Sequence, residues 1–281
     1  MRAGSRHRGT WGAGVLLLAL LTGCAVPRMA RSQAASMETP TGLFRLEYTD
    51  SDAADAARLQ QAVEYALPRM EPWGALREPV TLRILPDHEA LEEAIGRRGL
   101  DWLHAWSRYD EVFVQAPRTW SLVGATQPQI NELILHELTH SLMYQLSADR
   151  LGWSRKQIPL WFREGMASYT ARQAYRWVTL EEIARHLERE PESDPVRKPG
   201  QLYREDSNLV YGVAHHAFTF LVRRYGEERV RAILREMRDG GTFPEAFESA
   251  VGLKPDAFVR DFTRYVRWRG FRGGRVVRKP Q

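Results

Sequence analysis

Two periods of apolar residues divide this chain. Residues 43–48, Leu43-Phe44-Arg45-Leu46-Glu47-Tyr48, alternate by twos, as a strand with one covered face does. Residues 80–85 and 111–115, Val80-Thr81-Leu82-Arg83-Ile84-Leu85 and Glu111-Val112-Phe113-Val114-Gln115, read as two further strands. Residues 53–67 carry the helical period instead. Downstream the pattern is helical almost throughout, over 179–189, 207–225, 227–237, 243–251 and 255–267. Gly226, Gly240 with Gly241, and Gly252 fit helix stops, and Glu227 with Glu228 suits a helix start by complementing its dipole. The expected class is α+β, a small N-terminal mixed β-sheet followed by a mainly helical C-terminal half.

Between the two halves, Pro128 stands where a first helical turn tolerates proline, and Ile130, Leu133, Ile134 and Leu138 fall on roughly one apolar stripe. This helix carries His136-Glu137-Leu138-Thr139-His140. Residues four apart on a helix lie one turn above each other, so both imidazoles reach one metal ion. Glu137 is displaced about 100° from His136 and about 60° from His140, which leaves it flanking that ion. A catalytic zinc site takes three protein ligands and keeps one open position. Glu164, in Trp161-Phe162-Arg163-Glu164-Gly165-Met166-Ala167, is the candidate for the third. With 8 His in the chain, about 0.02 such H-E-x-x-H motifs are expected by chance. The plainer reading makes the two histidines polar residues on a helix flank.

These two motifs together resemble the gluzincin clan of zinc metallopeptidases, in particular the bacterial peptidase MA-like families. The segment from Asn208-Leu209-Val210-Tyr211-Gly212-Val213-Ala214 to Gly226 is similar to the family's next segment, and the resemblance covers about 43–268. It implies a zincin-like domain in which His136, His140 and Glu164 hold Zn2+ and Glu137 is the general base in hydrolysis of a peptide or protein substrate. Related peptidases use a downstream Tyr or His as oxyanion donor, which makes Tyr211 and His215 candidates here and His216 a weaker one. Helix aromatics are more often core. In the family, the strand before the first motif borders the cleft. Residues 112–115 are the candidate edge, an interior strand being an equal alternative. The third histidine of the metzincins is absent. The competing function is a non-catalytic envelope lipoprotein acting as a binding or assembly module, against which the retained Glu137 argues.

The N-terminus bears on location. Arg2, Arg6, His7 and Arg8 precede seven apolar residues at 15–21, and Leu21-Thr22-Gly23-Cys24 follows. This resembles a bacterial lipoprotein signal, cleaved before a Cys24 that carries lipid. The apolar run is too short and too broken by glycine for an uncleaved anchor, and several acyl chains give stable attachment. Ala25 in place of an aspartate favours the outer over the inner membrane of the cell envelope. Cys24 is the sole cysteine, so no intramolecular disulfide forms. Loss of Arg2, Arg6 and Arg8 lowers the formal net charge from +5 to +2. Arg264, Arg267, Arg269, Arg272, Arg275, Arg278 and Lys279 then make a basic end beside Trp268 and Phe271. Such a tail suits anionic lipid or cell-wall polymer but is more often simply solvated. No nucleic-acid motif accompanies it.

The division read from this is a signal at 1–23, a flexible tether at 24–42, the catalytic domain at 43–268 and a basic tail at 269–281. The proline-rich loop 190–203 suits a plain surface connection better than a lid. The sequence leaves the oligomeric state open.

Overall fold

The computed structural model describes residues 34–200 and 202–271. Five strands form one mixed sheet: β1 (Ala34–Glu38), β2 (Phe44–Thr49), β3 (Val80–Leu85), β4 (Ala105–Ser107) and β5 (Glu111–Gln115). Their spatial order is β1-β2-β3-β5-β4. The pairs β2/β3 and β3/β5 are parallel, and the two outer pairs are antiparallel. Helices α1 (Ala53–Met70) and α2 (His88–Ile95) join the strands, and α3 (Gln127–Ser147) and α4 (Leu160–Thr170) follow. The chain ends in α5 (Leu180–Arg189), α6 (Leu202–Glu205), α7 (Ser207–Tyr225), α8 (Glu227–Arg238), α9 (Phe243–Val251) and α10 (Pro255–Phe271). Among the described residues no helix is long and apolar enough to cross a membrane.

Two strand expectations change. Residues 34–38, assigned to the tether, form β1, paired with β2 from Ala34↔Thr49 to Glu38↔Arg45. Ala34-Ala35-Ser36-Met37-Glu38 carries little apolar signal because an antiparallel edge strand is held by its main chain, and Gly42 closes the turn at φ 66°. Residues 112–115 are not an edge either. The strand β5 lies between β3 and β4, and both its faces are covered. Val112 and Val114 join the main core, while Phe113 meets Leu91 of α2 and Leu103 in a second cluster. A strand buried on both sides reads as a continuous apolar run, which is why its sequence does not distinguish edge from interior. The edge on this side of the sheet is the three-residue β4.

Helix α3 is a central element rather than an amphipathic surface one. Ile134 through Gln145 are buried without a break. Polar side chains along it are therefore matched one by one. The Ser141 hydroxyl donates to Arg108 O at 2.8 Å, and Gln145 accepts from Arg77 N and Glu78 N while donating to Tyr109 O. Both ends are tied. Gln129 Oε1 accepts the Thr126 N–H at 2.8 Å, and Arg238 of α8 donates to Gln145 O at 2.7 Å and to Ala148 O.

Helices α4 and α7 cross at a glycine. A Cβ on Gly165 would lie 2.5 Å from Ala214 O and 2.5 Å from Phe218 Cβ, closer than any real contact. Gly165→Ala is expected to cost about 1–3 kcal/mol, because the overlap forces apart two well-packed helices. Denaturant unfolding measures it, and an unchanged midpoint would mean that the crossing is looser than its geometry.

Of the segment 190–203, residues 202–203 belong to α6, and the stretch before residue 201 is tied to α10. Arg197 bridges Asp194 and Asp256 at 2.6 and 2.8 Å. The signal segment, Cys24 and residues 272–281 lie outside the described residues.

Candidate metal centre

The two helices that cross the core bring three ligand-type side chains together. On α3, His136 and His140 lie one turn apart and meet edge to face, with ring centroids at 4.9 Å and planes at 83°. Glu164 enters from α4, and its Oε2 lies 3.5 Å from His136 Nε2 and 3.3 Å from His140 Nε2. All three residues are buried, and their ligand atoms fall within 4.8 Å of one another. Trp161 and Phe162 pack behind them, against Phe243, Phe258 and Phe218, which fixes the turn of α4 that aims Glu164.

Gln173 decides the protonation of His136. Its Oε1 lies 2.9 Å from His136 Nδ1, and its amide nitrogen donates to Glu132 Oε1 at 3.0 Å. Because that amide end is committed to a carboxylate, the oxygen faces His136 and Nδ1 carries the proton. The Nε2 lone pair then points at Glu164. At 3.5 Å that lone pair and the carboxylate oxygen attract each other only with a proton or a metal cation between them. In the metal-free chain burial opposes charge on His136, but Glu164 and Glu137 outweigh it and hold its pKa above the ordinary value. Burial likewise resists ionisation of Glu164, while His140, His136 and Arg163 drive its pKa well below the usual carboxylate range. The pocket is built for positive charge at its centre, and two histidines with a carboxylate suit a divalent ion.

Glu137 is turned differently from the two histidines. Ser107 Oγ, on the edge strand β4, lies 2.5 Å from Glu137 Oε2 and 2.9 Å from Glu137 O. One serine therefore anchors both the side chain and the backbone of this residue, and Oε1 makes no hydrogen bond among the described residues. Arg163 donates to Glu164 Oε1 at 3.2 Å. Its own pKa is raised despite burial, by Glu164 and Tyr144. Tyr144, one turn beyond His140, is pushed up to about 12 by burial and stays protonated.

The structure separates the two oxyanion candidates. Tyr211 stacks on Trp177 at 5.1 Å, and its hydroxyl lies 3.0 Å from that of Tyr203. Burial, Glu164, Tyr203 and Glu137 raise its pKa well above the ordinary phenol value, so this proton donor lies within the field of the site. His215 is directed elsewhere. Its Nδ1 is 2.8 Å from Ser168 Oγ, and burial, His216 and Arg223 push its pKa down to about 4. Four residues on a helix share a face only within about 40°, and the two side chains take different partners, Tyr203 and Trp177 for Tyr211 and Ser168 for His215. His216 is held by Val178 O at 2.9 Å.

Two residues of this site have no signal in the sequence. Ser107 and Gln173 lie 30 and 37 positions from their partners, and only the fold brings them in. Gln173→Ala is expected to weaken metal affinity about 10–100-fold by freeing the His136 ring. Competition with a chelator measures it, and unchanged affinity would show that packing alone orients the imidazole.

A model of the Peptidase MA superfamily matches residues 121–267. That is slightly more than half of the chain, from the loop before α3 into α10, and it leaves out the sheet. No curated protein matches the sequence. The match takes in both helices that carry the ligand-type residues and the helical half behind them, and the chain therefore belongs to the Peptidase MA superfamily.

Proposed function

We propose that the chain is a zinc-dependent metallopeptidase that hydrolyses peptide bonds in the bacterial cell envelope. The observation that carries this reading is the convergence of His136 Nε2, His140 Nε2 and Glu164 Oε2 beside a separately anchored Glu137. Zinc held by those three atoms supplies Lewis acidity, which acidifies water and polarises a carbonyl.

The chain's own groups do the rest. Glu137 takes a proton on its unbonded carboxylate oxygen and returns it to the departing amine, a role that Ser107 assists by fixing the carboxylate's orientation. The phenol of Tyr211, kept protonated by its surroundings, donates to the oxygen on which charge builds up. Gln173 holds His136 in the tautomer whose lone pair faces inward. Burial of Ser107, His136, Glu137 and Gln173 strengthens their interactions by lowering the local dielectric.

Metal analysis with cleavage of a denatured protein tests the proposal. One zinc per chain is expected, with cleavage lost on chelation and restored by zinc. Zinc without cleavage would favour the binding-module reading, and absence of zinc would end the metallopeptidase reading.

Attachment to the envelope through lipidated Cys24 rests on the lipobox-like Leu21-Thr22-Gly23-Cys24. Cys24→Ala is expected to move the chain from the membrane to the soluble fraction of cells. Unchanged partitioning would discard the anchor.

A further inference from the structure

Among the ends of α1 and α4, the outer face of α7 and the start of α8 lies a cavity of about 430 Å³ whose lining includes Arg69, Arg172, Arg223, Glu227, His215 and Thr219. Its volume is in the range that holds small ligands. Three guanidinium groups face one carboxylate there, which leaves two positive charges in excess. Arg69 is partly engaged, donating to Tyr65 O at 2.8 Å and lying over the Tyr65 ring. Arg172 and Arg223 make no ion pair or side-chain hydrogen bond among the described residues, and Glu227 is not within ion-pair distance of either. Arg172 also sits at φ 56°, a left-handed conformation that a non-glycine residue adopts at a cost and that recurs at ligand clamps.

The floor of the cavity offers a donor as well. Ser168 Oγ accepts the Trp177 Nε1–H at 2.8 Å, and its other partner among the described residues is His215 Nδ1. The serine proton therefore goes to Nδ1, and the neutral His215 ring carries its own proton on Nε2, the nitrogen left for the cavity.

We propose that this cavity is a binding site for a small oxyanion, a phosphate monoester or a carboxylate, held by Arg172 and Arg223 at its mouth and by His215 Nε2–H at its floor. Unpaired guanidinium groups give charge-assisted, fork-like bonds to such groups, and the neutral His215 donor adds to a lining whose one carboxylate is Glu227. The site is separate from the metal centre and does not depend on the peptidase reading.

Titration of inorganic phosphate and, in parallel, acetate into the zinc-loaded full chain tests it. Both arginines are exposed, so Arg172→Asn with Arg223→Gln removes the charge without opening the core, and asparagine suits the left-handed backbone. Saturable binding is expected for at least one anion, weakened about tenfold or more in the double variant, with a shift of the His215 Nε2–H resonance in the wild type. The anion that saturates names the class. Equal binding by the double variant, or no saturation by about 10 mM of either anion, overturns the proposal. Binding that vanishes with the metal but survives loss of the arginines places the anion on zinc and overturns it equally.

Discussion

Glu137→Gln is expected to lower kcat by about 10²–10⁴-fold while the chain keeps its metal. Glutamine has nearly the same shape as glutamate, and it can still meet the Ser107 hydroxyl that approaches Glu137 Oε2 at 2.5 Å. What it lacks is a basic oxygen. None of the three atoms that converge at the centre belongs to Glu137, so metal content stays near one per chain. The measurement is metal stoichiometry beside turnover of one substrate for both proteins. Full activity in the variant would remove Glu137 from proton transfer. Loss of metal would instead make it a ligand, and the geometry around Glu164 would need another account.

The second large effect falls on Glu164→Ala. Removal of this carboxylate takes away the atom that lies within 3.5 Å of both histidine Nε2 atoms. It also strips the half-buried Arg163 of its carboxylate partner. Two neutral imidazoles are then left to hold a cation against an unpaired guanidinium nearby. Metal affinity is expected to fall by more than the about 100-fold upper range seen when an outer-shell partner is lost, which leaves the purified variant without zinc. Equilibrium dialysis decides the matter, and a variant with full metal content would exclude Glu164 from the ligand set. The two substitutions thus divide the site: one removes chemistry and spares the metal, the other removes the metal and chemistry with it.

Local regularity made part of this site readable and left part of it hidden. The pairing of His136 with His140 follows from helical pitch alone, and the C-terminal helices were marked by residues at their ends. Thr179 caps α5 by accepting from Glu182 N, Thr242 caps α9 likewise, and Gly226 and Gly252 end α7 and α9 at positive φ. Such signals act within a few residues, so a sequence displays them. The partners of the metal shell act across 30 to 37 residues, and nothing near Ser107 or Gln173 announces them. The same holds for β1, whose stability lies in main-chain pairing rather than in apolar side chains. Tyr211 and His215 show a third case. Their spacing placed them on one face, but whether that face meets the metal depends on how closely α7 approaches α4 at Gly165, a contact between helices far apart in sequence.

The anchoring of α3 at both ends has a consequence for motion. A helix held by Gln129 at its start and by Arg238 at its end, and buried from Ile134 to Gln145, has no end from which to fray. Backbone amides of His136–His140 are therefore expected to exchange with solvent only through unfolding of the whole domain, the slowest class of exchange. The exposed segment around Leu122 and Val123 belongs to the opposite class. The reacting geometry resides in the least fluctuating part of the chain, and the movements that admit and release a substrate are left to the loops around it.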